Sequence, residues 1–117
     1  MKFTQSLRKN REFQEVYKKG VSFANRYFVM YVLENGQAVN RLGISVSKKT
    51  GNSVIRHRVK RLVKESYRLH EDIFNSGLNI VIVARASAAS VTFKKAESAV
   101  LHLGKLHGIM KGVRTEQ

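Results

Sequence analysis

The hydrophobic positions of the chain follow a helical period in some segments and a strand period of two in others. Near the N-terminus, Phe13, Val16 and Tyr17 share one side of a predicted helix of about ten residues. Asn10 is a suitable N-cap for this helix, and Gly20 is placed to end it. The first helix therefore shows two aromatic side chains on one face.

Four segments have the pattern of strands, namely residues 21–24, 27–33, 41–47 and 80–84. A turn at Asn25-Arg26 joins the first two, and Asn35-Gly36 is a strong hairpin signal before the third. These three strands are therefore expected to be antiparallel. Residues 80–84 are apolar throughout, which is typical of a strand in the interior of a sheet.

Two further helices complete the predicted order. One covers residues 53–72, and the other starts after the N-cap Thr92 with Phe93, Ala96, Val100 and Leu103 on one face. The order α-β-β-β-α-β-α predicts an α/β (α+β) two-layer sandwich with a four-stranded mixed sheet. We expect one domain over residues 1–117, with a flexible basic tail over 108–117.

The second face of the predicted sheet has two interpretations. Gly43, Ser45 and Ser47 alternate with the larger residues of their strand and would leave a shallow floor for a ligand. In the neighbouring strand Phe28, Met30 and Val32 join the core, which puts Tyr27, Val29 and Tyr31 beside that floor. Alternatively a helix covers this face, because strands that are apolar on both sides are usually sandwiched. For Phe13 and Tyr17, ordinary core packing is slightly favoured over a role in binding.

The second helix is apolar on one arc and strongly cationic on the other. Its cationic arc contains Arg56, His57, Lys60, Arg61, Lys64 and Arg68. Between residues 41 and 68 there are nine Lys or Arg residues and one acid, Glu65, whereas a merely solvated helix face usually mixes both signs. With a net charge of +14 for the whole chain, this arc predicts contact with the phosphates of a nucleic acid. Binding to a membrane surface is the weaker alternative.

The sequence contains no catalytic constellation that we recognise. Residues 43–50 resemble a phosphate-binding loop, but Lys48 replaces the second glycine, whose absent side chain lets the backbone curl around a phosphate. The only aspartate is Asp72, so a two-metal nuclease would lack ligands, and there is no cysteine. No export signal or membrane span is seen, so a cytoplasmic location is expected. What remains is the cationic helix together with an aromatic patch, Phe13, Tyr17 and Tyr31, on which unpaired bases could stack.

Several motifs in order along the chain resemble the bacterial ribonuclease P protein component. They are Phe13-x-x-x-Tyr17-x-x-Gly20, Ala24-Asn25-Arg26, residues 41–49 (Arg-Leu-Gly-Ile-Ser-Val-Ser-Lys-Lys), Gly51-Asn52 and residues 56–65 (Arg-His-Arg-Val-Lys-Arg-x-x-Lys-Glu). The resemblance implies a subunit of a ribozyme that removes the 5′ leader of precursor tRNA by hydrolysis, as an endonuclease. It also implies a left-handed crossover between the strands that flank the basic helix, against the usual right-handed rule.

Carried over by position, the resemblance assigns two surfaces. It implies that Phe13, Tyr17, Val29 and Tyr31 line a cleft for the single-stranded leader. Docking of the catalytic RNA is assigned to Arg56, His57, Arg58, Lys60, Arg61, Lys64 and Arg68, with His57 standing where the family often has Asn. Further RNA contacts are expected from Asn25, Arg26, Lys48, Lys49 and Asn52.

The resemblance also names the partners. It implies the ribonuclease P RNA subunit and precursor tRNA, with no membrane and no DNA. The holoenzyme is expected to need Mg²⁺ and the catalytic RNA, with no cofactor held tightly by the protein and no catalytic residue in it. The first rival interpretation is a ribosomal or general RNA-binding protein, and the second is a nucleotide hydrolase or nuclease in its own right.

Overall fold

A computed structural model describes residues 3–111 as one five-stranded sheet with helices on both faces. The elements in chain order are β1 (Thr4–Ser6), α1 (Asn10–Lys19), β2 (Val21–Ala24), β3 (Phe28–Glu34), β4 (Asn40–Val46), α2 (Ser53–Arg68), β5 (Leu78–Ala84) and α3 (Phe93–His107). Short 3-10 helices lie at Lys48–Thr50, Glu71–Ile73 and Ala86–Ser90. All four predicted strands and all three predicted helices are present.

The sheet has one strand more than the sequence predicted. Its order is β1-β4-β5-β3-β2, and the additional strand β1 pairs in parallel with the first part of β4. β1 has only three residues and no apolar alternation, so its own sequence carries no strand signal. It is held by distant groups: the Thr4 hydroxyl lies 2.8 Å from that of the buried Tyr67, which Asn40 also contacts.

The expected hairpin between β3 and β4 is wrong. Asn35-Gly36 does form a tight turn, with φ 69° at Gly36 and the Asn35 side chain accepting from the backbone N–H of Gln37. However, β5 lies between β3 and β4, antiparallel to β3 and parallel to β4. The central position of β5, predicted from its apolar run, is confirmed, and six of its seven residues are buried.

Both faces of the sheet are covered, so the two-layer description is incomplete. Ile80 and Ile82 of β5 belong to the main core with α2 and α3, whereas Val81 packs with Leu7 and Val16 on the opposite face. Helix α1 thus lies across the sheet from α2 and α3. Because α2 connects the parallel neighbours β4 and β5, it forms the crossover whose left-handedness stays a prediction.

Helix boundaries differ from the sequence predictions in small but physical ways. The N-cap of α1 is Lys9 rather than Asn10, because the Glu12 carboxylate accepts from the Lys9 backbone N–H at 3.1 Å. Helix α2 ends at Arg68, four residues earlier than predicted, and a 3-10 turn follows. The predicted N-cap Thr92 is confirmed by its bond to the Lys95 N–H.

The predicted flexible tail does not begin at residue 108. Ile109 and Met110 are buried, and Met110 forms a β-bridge with Phe74, so this part packs on the core. Gly108 ends α3 with φ 67°, a conformation that suits glycine. Residues 112–117, the rest of the predicted tail, lie outside the described part of the chain.

An ion pair joins α1 to β4. The Arg41 guanidinium lies 2.6 Å from the Glu12 carboxylate, and both side chains are largely buried, at 26% and 21% exposure. The Lys9 N–H and the Arg41 guanidinium lower the pKa of Glu12 below its ordinary value of 4.5. The charged carboxylate is therefore favoured in the folded state, and it fixes the start of α1 against the sheet.

We expect Glu12→Gln to reduce the free energy of unfolding at neutral pH, with a difference from the unsubstituted protein that shrinks on acidification. A lowered folded-state pKa gives stability that is present above pH 4.5 and is lost as the pH falls through the folded value. Urea denaturation at pH 7 and at a pH of about 3 measures both differences. Glu34→Gln, at an exposed strand end, is the control and should change stability little at either pH. A pH-independent loss in Glu12→Gln would contradict this account.

Candidate nucleic-acid interface

Helix α2 presents a row of cationic side chains to solvent. Its buried side consists of Val59, Val63, Ser66 and Tyr67. His57, Lys60, Arg61 and Lys64 are exposed, and Arg56 is half-buried with its Nε donating to the Gly51 carbonyl. We call these five residues, Arg56, His57, Lys60, Arg61 and Lys64, the cationic face.

The one acidic side chain of α2, Glu65, forms an ion pair with Arg68 on the same helix. Arg68 donates to both oxygens of Glu65, at 2.8 and 2.5 Å, and these bonds lower the pKa of the Glu65 carboxyl. Arg68 is thereby engaged within the helix. The cations of the cationic face are left without an opposing carboxylate from α2.

Arg58 does not share this face, although the family resemblance assigned it to RNA docking together with these residues. Its guanidinium donates to the backbone carbonyls of Val91 at 2.5 Å and Ala89 at 3.4 Å. It therefore ties α2 to the loop before α3. The helical period leaves Arg58 off the cationic arc but does not reveal its partners, because only the packing of that loop brings them to it.

A cleft lies between α1 and the outer edge of β4. Because β1 pairs only with Asn40, Arg41 and Leu42, the edge of β4 beyond them has no partner strand among the described residues. A cavity of about 400 Å³ opens there. It is lined by Arg8, Asn10, Phe13, Gln14, Tyr17, Ile44, Ser45, Val46 and Lys60. We call it the aromatic cleft.

The core only partly uses the two aromatic residues of the cleft, Phe13 and Tyr17, and their neighbour Tyr31. Val16 is fully buried, while Phe13, Tyr17 and Tyr31 are half-buried around it. The Tyr17 ring meets that of Tyr31 edge-on at 5.0 Å, and its centroid lies 6.4 Å from that of Phe13. Each of the two open interpretations thus holds in part, since α1 covers this face but leaves aromatic surface accessible.

The predicted floor of small residues is partly covered. Gly43 is buried beneath Phe13, and a Cβ atom at Gly43 would lie 2.6 Å from the Phe13 Cζ atom. The glycine therefore allows the ring to lie on the sheet, while Ser45 remains at the wall of the cleft. Val29 and Tyr31 are half-buried on the same side of β3, and neither of them lines the cavity, so of the four predicted cleft residues only Phe13 and Tyr17 do.

Lys60 belongs to both surfaces. It projects from the cationic face of α2 and also lines the aromatic cleft together with Phe13 and Tyr17. Sequence reasoning missed this junction, and it missed Arg8 and Gln14 in the same cleft. No local motif marks them, because they meet only where α1 and α2 approach around the edge of β4.

Two predicted contact residues have structural roles. The side-chain oxygen of Asn25 accepts from the N–H groups of Tyr27 and Phe28, and its amide nitrogen lies within hydrogen-bond distance of the Ala99 carbonyl and His102 Nδ1. The side chain of Asn52 caps α2 by accepting from the Ile55 N–H. In contrast, the side chains of Arg26, Lys48 and Lys49 are exposed.

Two further features are not found in residues 3–111, a cluster of metal-ligating side chains and a membrane-spanning helix. No three histidine, aspartate or glutamate side chains there are grouped so that they could hold a metal ion. No helix in that range is both long and apolar enough to cross a bilayer. Among the residues predicted to act, the structure thus brings together a cationic face and an aromatic cleft.

The family model described as Ribonuclease P matches residues 1–107. The chain is 57% identical over 107 residues to the ribonuclease P protein component of Lachnoclostridium phytofermentans, covering 92% of each chain. It is 51% identical to that of Alkaliphilus oremlandii, covering 90% of this chain and 92% of the relative. In structure it is similar to the Staphylococcus aureus RNase P protein, with a TM-score of 0.84, 37% identity and coverage of 91% and 97%. It is also similar to the RNase P protein from Thermotoga maritima, with a TM-score of 0.78, 33% identity and coverage of 85% of this chain and 94% of that protein.

We expect Asn25→Ala to destabilise the fold, whereas Arg26→Ala should not. The alanine removes the side-chain hydrogen bonds that set the β2–β3 turn and join it to α3, so we expect the free energy of unfolding to fall by about 2 kcal/mol. Urea denaturation of both variants measures this. Equal stability of the two would show that the Asn25 bonds contribute nothing.

Proposed function

The chain belongs to the ribonuclease P protein family, and from this premise we propose that its two surfaces grip different RNAs within the holoenzyme. The chain is the protein component of ribonuclease P, the endoribonuclease that removes the 5′ leader of precursor tRNA, and in this enzyme the RNA subunit carries the catalysis. Its partner is a ribonuclease P RNA and its substrate is a tRNA precursor. Family membership decides against the ribosomal and general RNA-binding alternatives.

The cationic face docks the catalytic RNA in this proposal. Its four lysine and arginine residues, with the exposed Lys48 and Lys49 just before α2, carry positive charge, and the one carboxylate of α2 is bound by Arg68. Phosphates of a folded RNA are the matching surface, because each neutralised phosphate releases condensed counterions. Arg58 acts as a positioning residue, since its bonds to the Ala89 and Val91 carbonyls hold α2 in place.

The aromatic cleft holds the single-stranded leader. Phe13 and Tyr17 are fixed by the core on one side and open to the cavity on the other, so unpaired bases can stack on them. Lys60 and Arg8 in the same lining supply charges for the leader's phosphates. Tyr31 supports Tyr17, and Val29 continues the same face of the sheet. A duplex cannot use this cleft without unstacking its bases.

The single observation that carries the proposal is the position of Lys60. Because this residue lines the aromatic cleft and belongs to the cationic face, the two surfaces are continuous around the edge of β4. An RNA docked on α2 and a leader lying in the cleft would therefore be neighbours. The protein would align the substrate with the catalytic RNA without taking part in bond cleavage.

Three parts of the proposal come from family membership alone. We propose that the holoenzyme requires Mg²⁺ and the catalytic RNA, and that this protein acts in the cytoplasm, where it would meet tRNA precursors. The left-handed crossover at α2 is proposed on the same basis. None of these changes the roles assigned to the two surfaces.

We expect the double variant Phe13→Ala, Tyr17→Ala to weaken binding of leader-bearing precursor by about tenfold or more while leaving mature tRNA binding unchanged. Removing a base stack costs roughly 1 to 3 kcal/mol, and only the precursor has a leader to stack. Holoenzyme assembled with the cognate RNA subunit is titrated against both substrates, at low magnesium. Phe23→Ala, a half-exposed aromatic on β2 outside the cleft, is the matched control. Equal losses for both substrates would count against the cleft.

We expect Arg56→Ala, Lys60→Ala and Arg61→Ala to lower affinity for the catalytic RNA and to flatten its salt dependence. The slope of log affinity against log salt should fall by up to about 0.9 for each duplex phosphate that the variant no longer neutralises. Binding of the purified RNA subunit at salt concentrations of roughly 50 to 300 mM, where counterion release is measurable, gives the slope. Lys105→Ala, an exposed lysine on α3, should leave it unchanged. An unaltered slope in all three variants would mean that these side chains touch no phosphate.

A further inference from the structure

A second cavity lies between α2 and the start of α3. It has a volume of about 330 Å³, within the lower range of small-molecule sites. Its lining consists of Arg61, Leu62, Lys64, Glu65, Arg68 and Phe93. Since Arg61 and Lys64 are also members of the cationic face, the cavity opens directly beside the surface assigned to the catalytic RNA.

Phe93 is an aromatic residue that the core does not use. The sequence placed it on one helix face with Ala96, Val100 and Leu103, and those three are buried in the main core. Phe93, the first residue of α3, is half-buried and belongs to neither hydrophobic cluster of the described residues. Its ring instead forms a wall of the cavity, opposite the stems of the α2 cations.

The charge of the cavity selects an anionic occupant. Three cations line it, against one carboxylate, and that carboxylate is bound at both oxygens by Arg68. The floor is apolar, because Leu62 packs on the main core and the lysine and arginine stems add carbon surface. A flat apolar wall with a cationic rim fits a nucleotide, whose base has an apolar face and whose phosphates are negative.

We propose that this cavity receives one unpaired nucleobase of the catalytic RNA, stacked on the Phe93 ring, with the flanking phosphates held by Arg61 and Lys64. This inference rests on the proposed docking of that RNA on the cationic face. Such a contact would distinguish unpaired from paired segments of the RNA, because only a base that is not paired can leave its helix and enter the cavity. Phosphate contacts alone would not make that distinction.

The chain contains no tryptophan, so Phe93→Trp creates a single fluorescent reporter in the cavity. We expect titration with the cognate RNA subunit to quench this tryptophan strongly, because the base stacks on the indole. Leu106→Trp, at an exposed position near the other end of α3, is the control and should show little quenching. A gel-shift titration on the same samples confirms that the RNA is bound.

Three results would overturn the proposal. These are an unquenched tryptophan at position 93 in a complex that has formed, equal quenching at position 106, and equal quenching by precursor tRNA alone. The last would assign the base to the substrate instead of the catalytic RNA. If Arg56→Ala and Lys60→Ala leave RNA affinity unchanged, docking on the cationic face itself fails, whereas reduced affinity with an unquenched reporter rejects only the cavity.

Affinity gives an independent test. We expect Phe93→Ala to weaken binding of the RNA subunit by about fivefold to tenfold without altering the salt slope, because stacking neutralises no phosphate. Phe93→Tyr keeps the ring and should retain affinity. Thermal unfolding confirms that both variants are folded. Full affinity in Phe93→Ala, or a slope that falls as in Arg61→Ala, would show that no base stacks there.

Discussion

The position of β5 determines where the aromatic cleft lies. This strand is apolar on both sides and is buried on both sides, so it takes the middle of the sheet and separates β3 from β4. β4 is thereby moved toward the edge, where the short β1 covers only its first residues. The uncovered part of β4 becomes one wall of the aromatic cleft. Burial of a single strand thus sets the geometry of a site to which that strand contributes no lining residue.

Charge is distributed under a second constraint, since a chain with a net charge of +14 repels itself. Several of its few acids lie beside cations: Glu12 by Arg41, Glu15 by Lys19, and Glu65 by Arg68. The pair at Glu12 has a clear structural use, because it anchors α1. Within residues 3–111, the lysines and arginines of the cationic face form no ion pair. An RNA phosphate can bind there without first displacing a carboxylate, which would otherwise reduce the gain on binding.

Local features could be predicted from the sequence, whereas distant pairings could not. Each main helix has a hydrophobic period or a capping residue in its own sequence, and the central strand has a continuous apolar run. β1 has no such signal, because Thr4 is held by Tyr67, more than sixty residues away. The hairpin expected at Asn35-Gly36 failed although its turn is real, since the more apolar β5 competes for pairing with β3. Within the site, the helical period of the charged residues predicted the cationic arc of α2. It left Arg58 off that arc, but it could not show what Arg58 contacts, because its partners lie in the loop before α3, more than thirty residues away in the sequence.

Partial burial is what makes the aromatic cleft suitable for unpaired RNA. A fully buried ring offers no face to a base, and a ring on a free surface would lose side-chain entropy when a base stacked on it. In α1, the buried Val16 and the ion pair at Glu12 fix the helix, so Phe13 and Tyr17 are held in place while one side of each stays accessible. The side-chain entropy of Phe13 and Tyr17 is thus lost during folding and not on binding. Because the same packing is needed for stability, the cleft is formed when the chain folds, and in the proposed function its binding energy can go into discriminating a single strand from a duplex.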